Sequence, residues 1–351
     1  MVTYHCAMTY SSESIAKKFP SLVIEVRGKH CEFSHTSDPQ SSDSDSLVFL
    51  SNSELLPEAA AVVVTNSEVA EAIVTKTQAV VIVVKDVRLA MALIKQEYHD
   101  FLYRDQAWGD IHQSAVIHES VKIGANVRIG PNAVIGANSE LAEGVIVEAG
   151  AVVEQKVIIG EMSVVHSNAV IGHSCVLGKR VIIKNNAVIG SEGFGFAQDQ
   201  NRSSKRVPHT GNVELQDDVR VGAGSLIDRA TYGTTLIKRG TKLDNLVHIA
   251  HNVELGEDVL IAGMSGVSGS TKVGNRVIFS GQVGVADHLT IADDVVLVHQ
   301  AAVYQSISEP GMYAGNPARP YKEHMQRSRV LKSLKRLQDK VAELTKKIDG
   351  N

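Results

Sequence analysis

The chain has 351 residues, 44% of them apolar but only 5% aromatic, and 35 basic against 39 acidic side chains leave a formal charge of -4. That length allows two or three units with well-buried interiors, and the charge argues against nucleic acid as the main partner. Three cysteines, Cys6, Cys31 and Cys175, are too few for a disulfide framework, no basic-then-apolar leader opens the chain, and no apolar run reaches membrane-spanning length. A cytoplasmic protein without a transmembrane segment is expected.

Residues 1–105 mix short apolar runs, Leu22–Val26, Ala60–Val64 and Val80–Val84, with helical stretches, which predicts a separate α/β domain. The polar segment His35–Ser46 has the composition of an exposed loop. Leu89, Ala92, Leu93 and Tyr98 predict an amphipathic helix from Val87 to about Tyr103.

Residues 106–307 follow a different rule. From Ile111 to Ile189 an aliphatic residue returns every sixth position, fourteen times in succession, and two places before it stands a small or β-branched residue such as Ala115, Val121 or Ala133. Six fits neither the helical period of 3.6 nor plain strand alternation, so the unit is a short strand plus a turn, repeated as a solenoid with glycine rounding the corners. The pattern resembles the hexapeptide repeat of left-handed parallel β-helices, and the left hand and three hexads per coil follow from that resemblance. The frame breaks at residues 190–212, GSEGFGFAQDQNRSSKRVPHTGN, too glycine-rich and polar for a coil and expected to loop outward. It resumes at Leu215, Val221 and Ile227, skips four residues, and runs from Ile237 to Val303. Twenty-nine units in all make about ten coils, a prism on the order of 45 Å long.

Two turn markers, Ser308–Gly311 and Gly315–Pro320, end the solenoid and open a C-terminal extension over residues 308–351. There Val330, Leu334, Leu337, Val341, Leu344 and Ile348 form a heptad seam too short to stand alone in water, so association with further copies is expected. Between Arg319 and Lys347 ten basic residues outnumber three acidic ones, a net +7 that suits either a solvated face or an acidic partner.

Aliphatic repeats carry no chemistry, so reactive side chains must escape the inward phase. Of fourteen histidines, His251 lies two places past Ile249 and His288 three past Val285, and their separation of 37 is two coils plus one residue, which puts both near one edge. Three stretches, GSEGFGF (190–196), LIDRAT (226–231) and LDNLVHIAHNVELG (243–256), together with the α/β domain and the heptad helix, resemble the UDP-3-O-(3-hydroxyacyl)glucosamine N-acyltransferases of lipid A biosynthesis over essentially the whole chain. The resemblance implies a homotrimer that moves a 3-hydroxyacyl chain from acyl carrier protein to the amine of a UDP-glucosamine derivative, with no metal or cofactor. It makes His251 the catalytic base, His288 a second histidine at the nucleotide sugar, and Asn252 a substrate contact. It also implies an N-terminal uridine-binding domain that stacks uracil through a motif like F-L-x-N-P-x-Y, of which Phe49 and Asn52 match while Leu55 replaces the tyrosine. His248 stands where the family commonly has glutamine.

The chemistry suits these residues. An amine attacking a thioester must lose a proton, which a histidine near neutrality accepts, and the tetrahedral intermediate needs a donor for its oxyanion. Gly269, eighteen residues past His251, is expected to stack on it and offer an unobstructed N–H. Asp244 either orients the imidazole or is satisfied by water. Small Ala301 and Ala302 are expected to leave an outer groove open to a long acyl chain, and Arg327, Arg329, Lys332, Lys335 and Arg336 to receive the carrier protein. Two rival readings stand beside this one: the sibling UDP-N-acetylglucosamine O-acyltransferase, which lacks an α/β domain before the prism, and a trimeric zinc carbonic anhydrase of the hexapeptide fold, ligated through histidines such as His248, His251 and His288.

Overall fold

In the computed structural model the described residues are 10–99 and 108–349. Cys6, positions 100–103 of the expected helix and the side chain of Ile348 lie outside them. Backbone contacts divide the chain into two units, Met1–Gln106 and Ala107–Asn351.

The first unit is built on five strands in the order Val23–Arg27, Val80–Val84, Val62–Thr65, Ser46–Leu50 and His35–Ser37, with only the first pair antiparallel. Alternation sends Val62 and Val64 to one side, against Ile15 of helix α1 (Ser12–Lys18) and Ile94 of helix α3 (Val87–His99). It sends Val63 and Val81 to the other, against Val69 and Ile73 of helix α2 (Ser67–Lys76). A sheet covered on both faces needs continuous apolar strands, and all five residues of Val80–Val84 are buried. Helix α2 starts where the Asn66 side chain accepts the Val69 N–H at 3.1 Å. The segment expected to be wholly loop begins instead as an edge strand, His35–Ser37, because its backbone pairs in parallel with Ser46–Val48.

In the second unit the hexads become two-residue strands that form three sheets of 11, 10 and 9 strands. Away from the two insertions a residue pairs with the one eighteen ahead, Ile129 with Val147 and Ile135 with Val153, so one coil is three hexads and the fold is a parallel β-helix. The inward residues form one continuous core from Val127 to Ile307, and each fully buried aliphatic contributes roughly 1.5–3 kcal/mol. At the first coil Ile111 is 48% exposed, with no earlier rung over it among the described residues. Inward Ser139 is satisfied within the stack, donating to the Glu154 carbonyl at 2.8 Å and accepting the Val157 N–H at 3.1 Å.

The corners turn by a different device from the one expected. The left-handed residue is three places past the inward aliphatic and is usually not glycine, as at Asn126 (φ 57°), Asn168 (φ 60°) and Asn252 (φ 59°). The glycines that follow the aliphatics allow close stacking instead: a Cβ on Gly136 would lie 2.6 Å from the Gln155 nitrogen in the next coil.

The strand Val188–Glu192 is still paired in the prism, and so is Asn212–Leu215; between them the chain runs out through an antiparallel hairpin of Phe196–Gln198 and Ser204–Arg206. Buried Arg229 pins both ends of this arm, donating from Nε to the Gly190 carbonyl (2.7 Å) and from Nη1 to the Gly211 carbonyl (3.1 Å). After the last coils comes helix α4, Tyr321–Asp349, which meets the strands Gly311–Ala314 and Arg319–Pro320 where it starts. Farther along, Val330, Leu334, Leu337, Val341 and Leu344 are 44–58% exposed, a seam with nothing over it in one chain.

Candidate active site

The ten-stranded face carries a column of outward residues in register, Leu226, His248, Gly266, Gly284 and Ala302. Neither glycine is at positive φ, a Cβ on Gly284 would meet nothing within 4 Å, and one on Gly266 would meet only the His248 carbonyl at 4.0 Å. Backbone conformation and packing within the chain thus leave these positions free to be anything. Their bareness makes the floor of a groove of about 640 Å³, flanked by His248, His251, Gly269, Asp287, Tyr304 and Phe194 of the extruded arm.

His251 sits on the corner that follows this face. Its Nδ1 is 3.1 Å from the Asn252 Oδ1, which also accepts the Thr231 N–H at 2.9 Å, while the Asn252 Nδ2 donates to the Tyr232 carbonyl at 2.9 Å. An amide oxygen only accepts, so Nδ1 carries a proton, and in the neutral ring the lone pair lies on Nε2. Asn252, expected to touch substrate, is half-buried, and its side chain bonds His251, Thr231 and Tyr232. Gly269 is one coil on, as expected: the Ser270 N–H donates to the His251 carbonyl at 2.9 Å, and a Cβ on Gly269 would fall 2.7 Å from His251 Cε1. Among the described residues no acceptor takes the Gly269 N–H.

Asp244 does not orient the imidazole. Its carboxylate accepts the N–H groups of Asn245 (2.7 Å) and Gly263 (3.1 Å) at the corner that follows the eleven-stranded face. Seven residues before His251 is one hexad plus one, which is a different edge. A carboxylate that does enter the groove is Asp228 of LIDRAT, only 6% exposed, bonded by the Ser191 hydroxyl at 2.9 Å and 3.1 Å from His248 Nε2. The bond to Asp228 raises the pKa of His248 above the ordinary imidazole value despite its partial burial. That favours a charged His248, poorly suited as a base, whereas among the described residues no carboxylate is bonded to the ring of His251. Neither His209, Asp228, Arg229 nor Thr231 was singled out from the sequence; the signals available were the LIDRAT motif and the four extra residues beside it.

His288 is at the predicted corner two coils from His251, its N–H on the Gly269 carbonyl at 3.0 Å. Its ring points outside the groove and is 75% exposed. Ala302 lines the groove, but Ala301 faces the core and is buried, since alternate strand residues face opposite ways. Cys175 is buried, and burial pushes its thiol up to about 11, which leaves it no nucleophile. In the first unit Phe49 is half-buried against the core, the Asn52 Oδ1 accepts the Glu54 N–H at 3.2 Å, and Leu55 is 51% exposed.

Residues 111–193 match the family described as the GMPPB C-terminal domain. The UDP-3-O-acylglucosamine N-acyltransferase of Methylococcus capsulatus is 46% identical over 268 residues, 76% of either chain. The chain belongs to the UDP-3-O-acylglucosamine N-acyltransferase family. A second N-acyltransferase, from Syntrophotalea carbinolica, is 45% identical over 161 residues, 46% of this chain and 47% of its own. Among solved structures, the Arabidopsis UDP-N-acetylglucosamine acyltransferase superposes with a TM-score of 0.54 at 23% identity, covering 62% of this chain and 76% of that one; it shares the fold. Membership makes this N-acyltransferase an enzyme of acyl transfer and decides against the carbonic anhydrase reading. Among the described residues no helix is long and apolar enough to cross a membrane.

Proposed function

We propose that the chain transfers a 3-hydroxyacyl group from acyl carrier protein to the 2-amino group of UDP-3-O-(3-hydroxyacyl)glucosamine, in the cytoplasm and on the route to lipid A. The observation that carries the reading is His251, bonded to Asn252 through Nδ1, beside the free Gly269 N–H at the head of a side-chain-free apolar floor. The amine nitrogen attacks the thioester carbonyl and passes a proton to His251 Nε2, while the Gly269 N–H stabilises the oxyanion. Collapse re-forms the carbonyl, breaks the carbon–sulfur bond and expels the thiolate, which takes the proton back from the His251 imidazolium. The acyl chain lies along Gly266, Gly284 and Ala302, where apolar contact replaces water.

The remaining assignments follow from this chemistry. His288, near the same corner but outside the groove, is free to meet the nucleotide sugar, and Phe49 with Asn52 marks the uracil side of an N-terminal uridine-binding domain, residues 1–105. The uncovered seam of α4 supports a homotrimer, and its cations Arg327, Arg329, Lys332, Lys335 and Arg336 supply a surface for the acidic carrier protein. Purified protein given 3-hydroxyacyl carrier protein and either UDP-3-O-acylglucosamine or UDP-N-acetylglucosamine tests the reading. Mass spectrometry is expected to find an amide-linked product from the first acceptor alone; an ester product from the second would overturn it.

A further inference from the structure

We infer that His209 is a positioning residue for His251, and that Gly193 and Gly195 are glycines because its ring occupies their side-chain space. The inference rests on the reading of His251 as the base.

His209 stands near the end of the extruded arm and is only 7% exposed. Its ring packs edge-to-face on His251, with centroids 4.9 Å apart and planes at 76°. The arm folds back around it: the Gly193 N–H donates to Nδ1 at 3.2 Å, the Arg229 carbonyl is 3.3 Å from the same nitrogen, and the His209 N–H donates to Glu192 Oε1 at 2.9 Å. A Cβ on Gly195 would fall 2.4 Å from His209 Nε2, and one on Gly193 2.9 Å from Cε1, although neither glycine is at positive φ. The spacing of the glycines in GSEGFGF is therefore a seat for an imidazole that enters sixteen residues later in the chain.

The second link runs through Thr231. Its hydroxyl is 3.3 Å from His209 Nε2, and its N–H donates to the same Asn252 oxygen that holds His251 Nδ1. Rotation of a histidine ring about its last torsion is soft, so the bond at Nδ1 alone leaves the plane of His251 loosely set. His209, edge-to-face on the ring, and Gly269, close to its Cε1 and Nε2, together restrict that freedom and aim Nε2 into the groove. A reacting atom misplaced by about 1 Å loses on the order of 100-fold in rate, so the contact acts on turnover rather than on substrate affinity.

The test is steady-state kinetics on His209→Ala, His209→Phe, Gly195→Ala and His251→Ala in one assay, with circular dichroism and melting on each. His209→Ala is expected to lower kcat about 10- to 100-fold with both KM values within about threefold, and Gly195→Ala, which displaces His209 while every imidazole remains, to do the same. His209→Phe, which keeps a flat ring, is expected to recover most of the loss. A folded His209→Ala protein with normal kcat, or a loss confined to KM, overturns the inference; so does a Phe variant as slow as Ala. If His209→Ala does not fold, a normal kcat in Gly195→Ala overturns it equally. Normal turnover in His251→Ala sinks the reading of the base itself, a result separate from these.

Discussion

Gly269 touches His251 more closely than any residue with a side chain could: an added Cβ would lie 2.7 Å from Cε1 and 2.8 Å from Nε2. One residue thus keeps the imidazole clear and supplies an N–H beside it. Gly269→Ala is expected to push the ring aside and lower kcat by about 100-fold or more while the coil itself, whose other contacts persist, stays folded. Single-turnover kinetics with circular dichroism checks this; a variant with normal turnover removes Gly269 from the oxyanion site.

His251→Ala is expected to fold normally and lose roughly two to four orders of magnitude in turnover. His248→Ala is expected to retain most of its turnover, because its ring is committed to Asp228. If steady-state rates reverse that order, the base sits three residues earlier in the chain.

The His248–Asp228 pair also predicts a pH signature. The folded-state pKa of His248 is raised, chiefly by its bond to Asp228, so its stabilising contribution is complete below the unfolded imidazole pKa and is lost as pH rises through the higher folded value. Melting temperatures of the wild type and His248→Gln should be farthest apart on the acid side and converge as pH climbs past that value. A gap that widens with pH would contradict the assigned protonation.

Ala302 is the last small residue of the bare column after Gly266 and Gly284. Ala302→Met is expected to shorten the accepted acyl chain, each excluded methylene costing about 0.8 kcal/mol, roughly fourfold in kcat/KM. Competition among carrier proteins loaded with different chain lengths reads this directly; an unchanged length distribution would place the chain elsewhere.

The exposed seam of α4 predicts trimers at micromolar concentration, and Leu334→Glu with Leu337→Glu is expected to weaken them, as sedimentation equilibrium will show. Reversing Lys335 and Arg336 should raise the KM for the carrier protein in a salt-sensitive way and leave that for the nucleotide sugar alone.

The solenoid is written in the amino-acid order, because a six-residue period forces every inward position, and steps of eighteen place His251, Gly269 and His288 on one edge. The bare floor is legible too, since Gly266 and Gly284 occupy outward positions of that frame. Asp244 shows the limit: proximity along the chain suggested a partner that the prism turns onto another corner. What the period could not reach lies where the period fails. His209, Asp228 and Arg229 come from the extruded arm and from the stretch with four extra residues, and their contacts with His251, His248 and the ends of the arm exist only because those irregular segments fold back on the coil. A repeat fixes each residue by its number alone, whereas an insertion is placed by packing and hydrogen bonds formed across the fold, so what holds the two histidines in the groove emerges only in three dimensions.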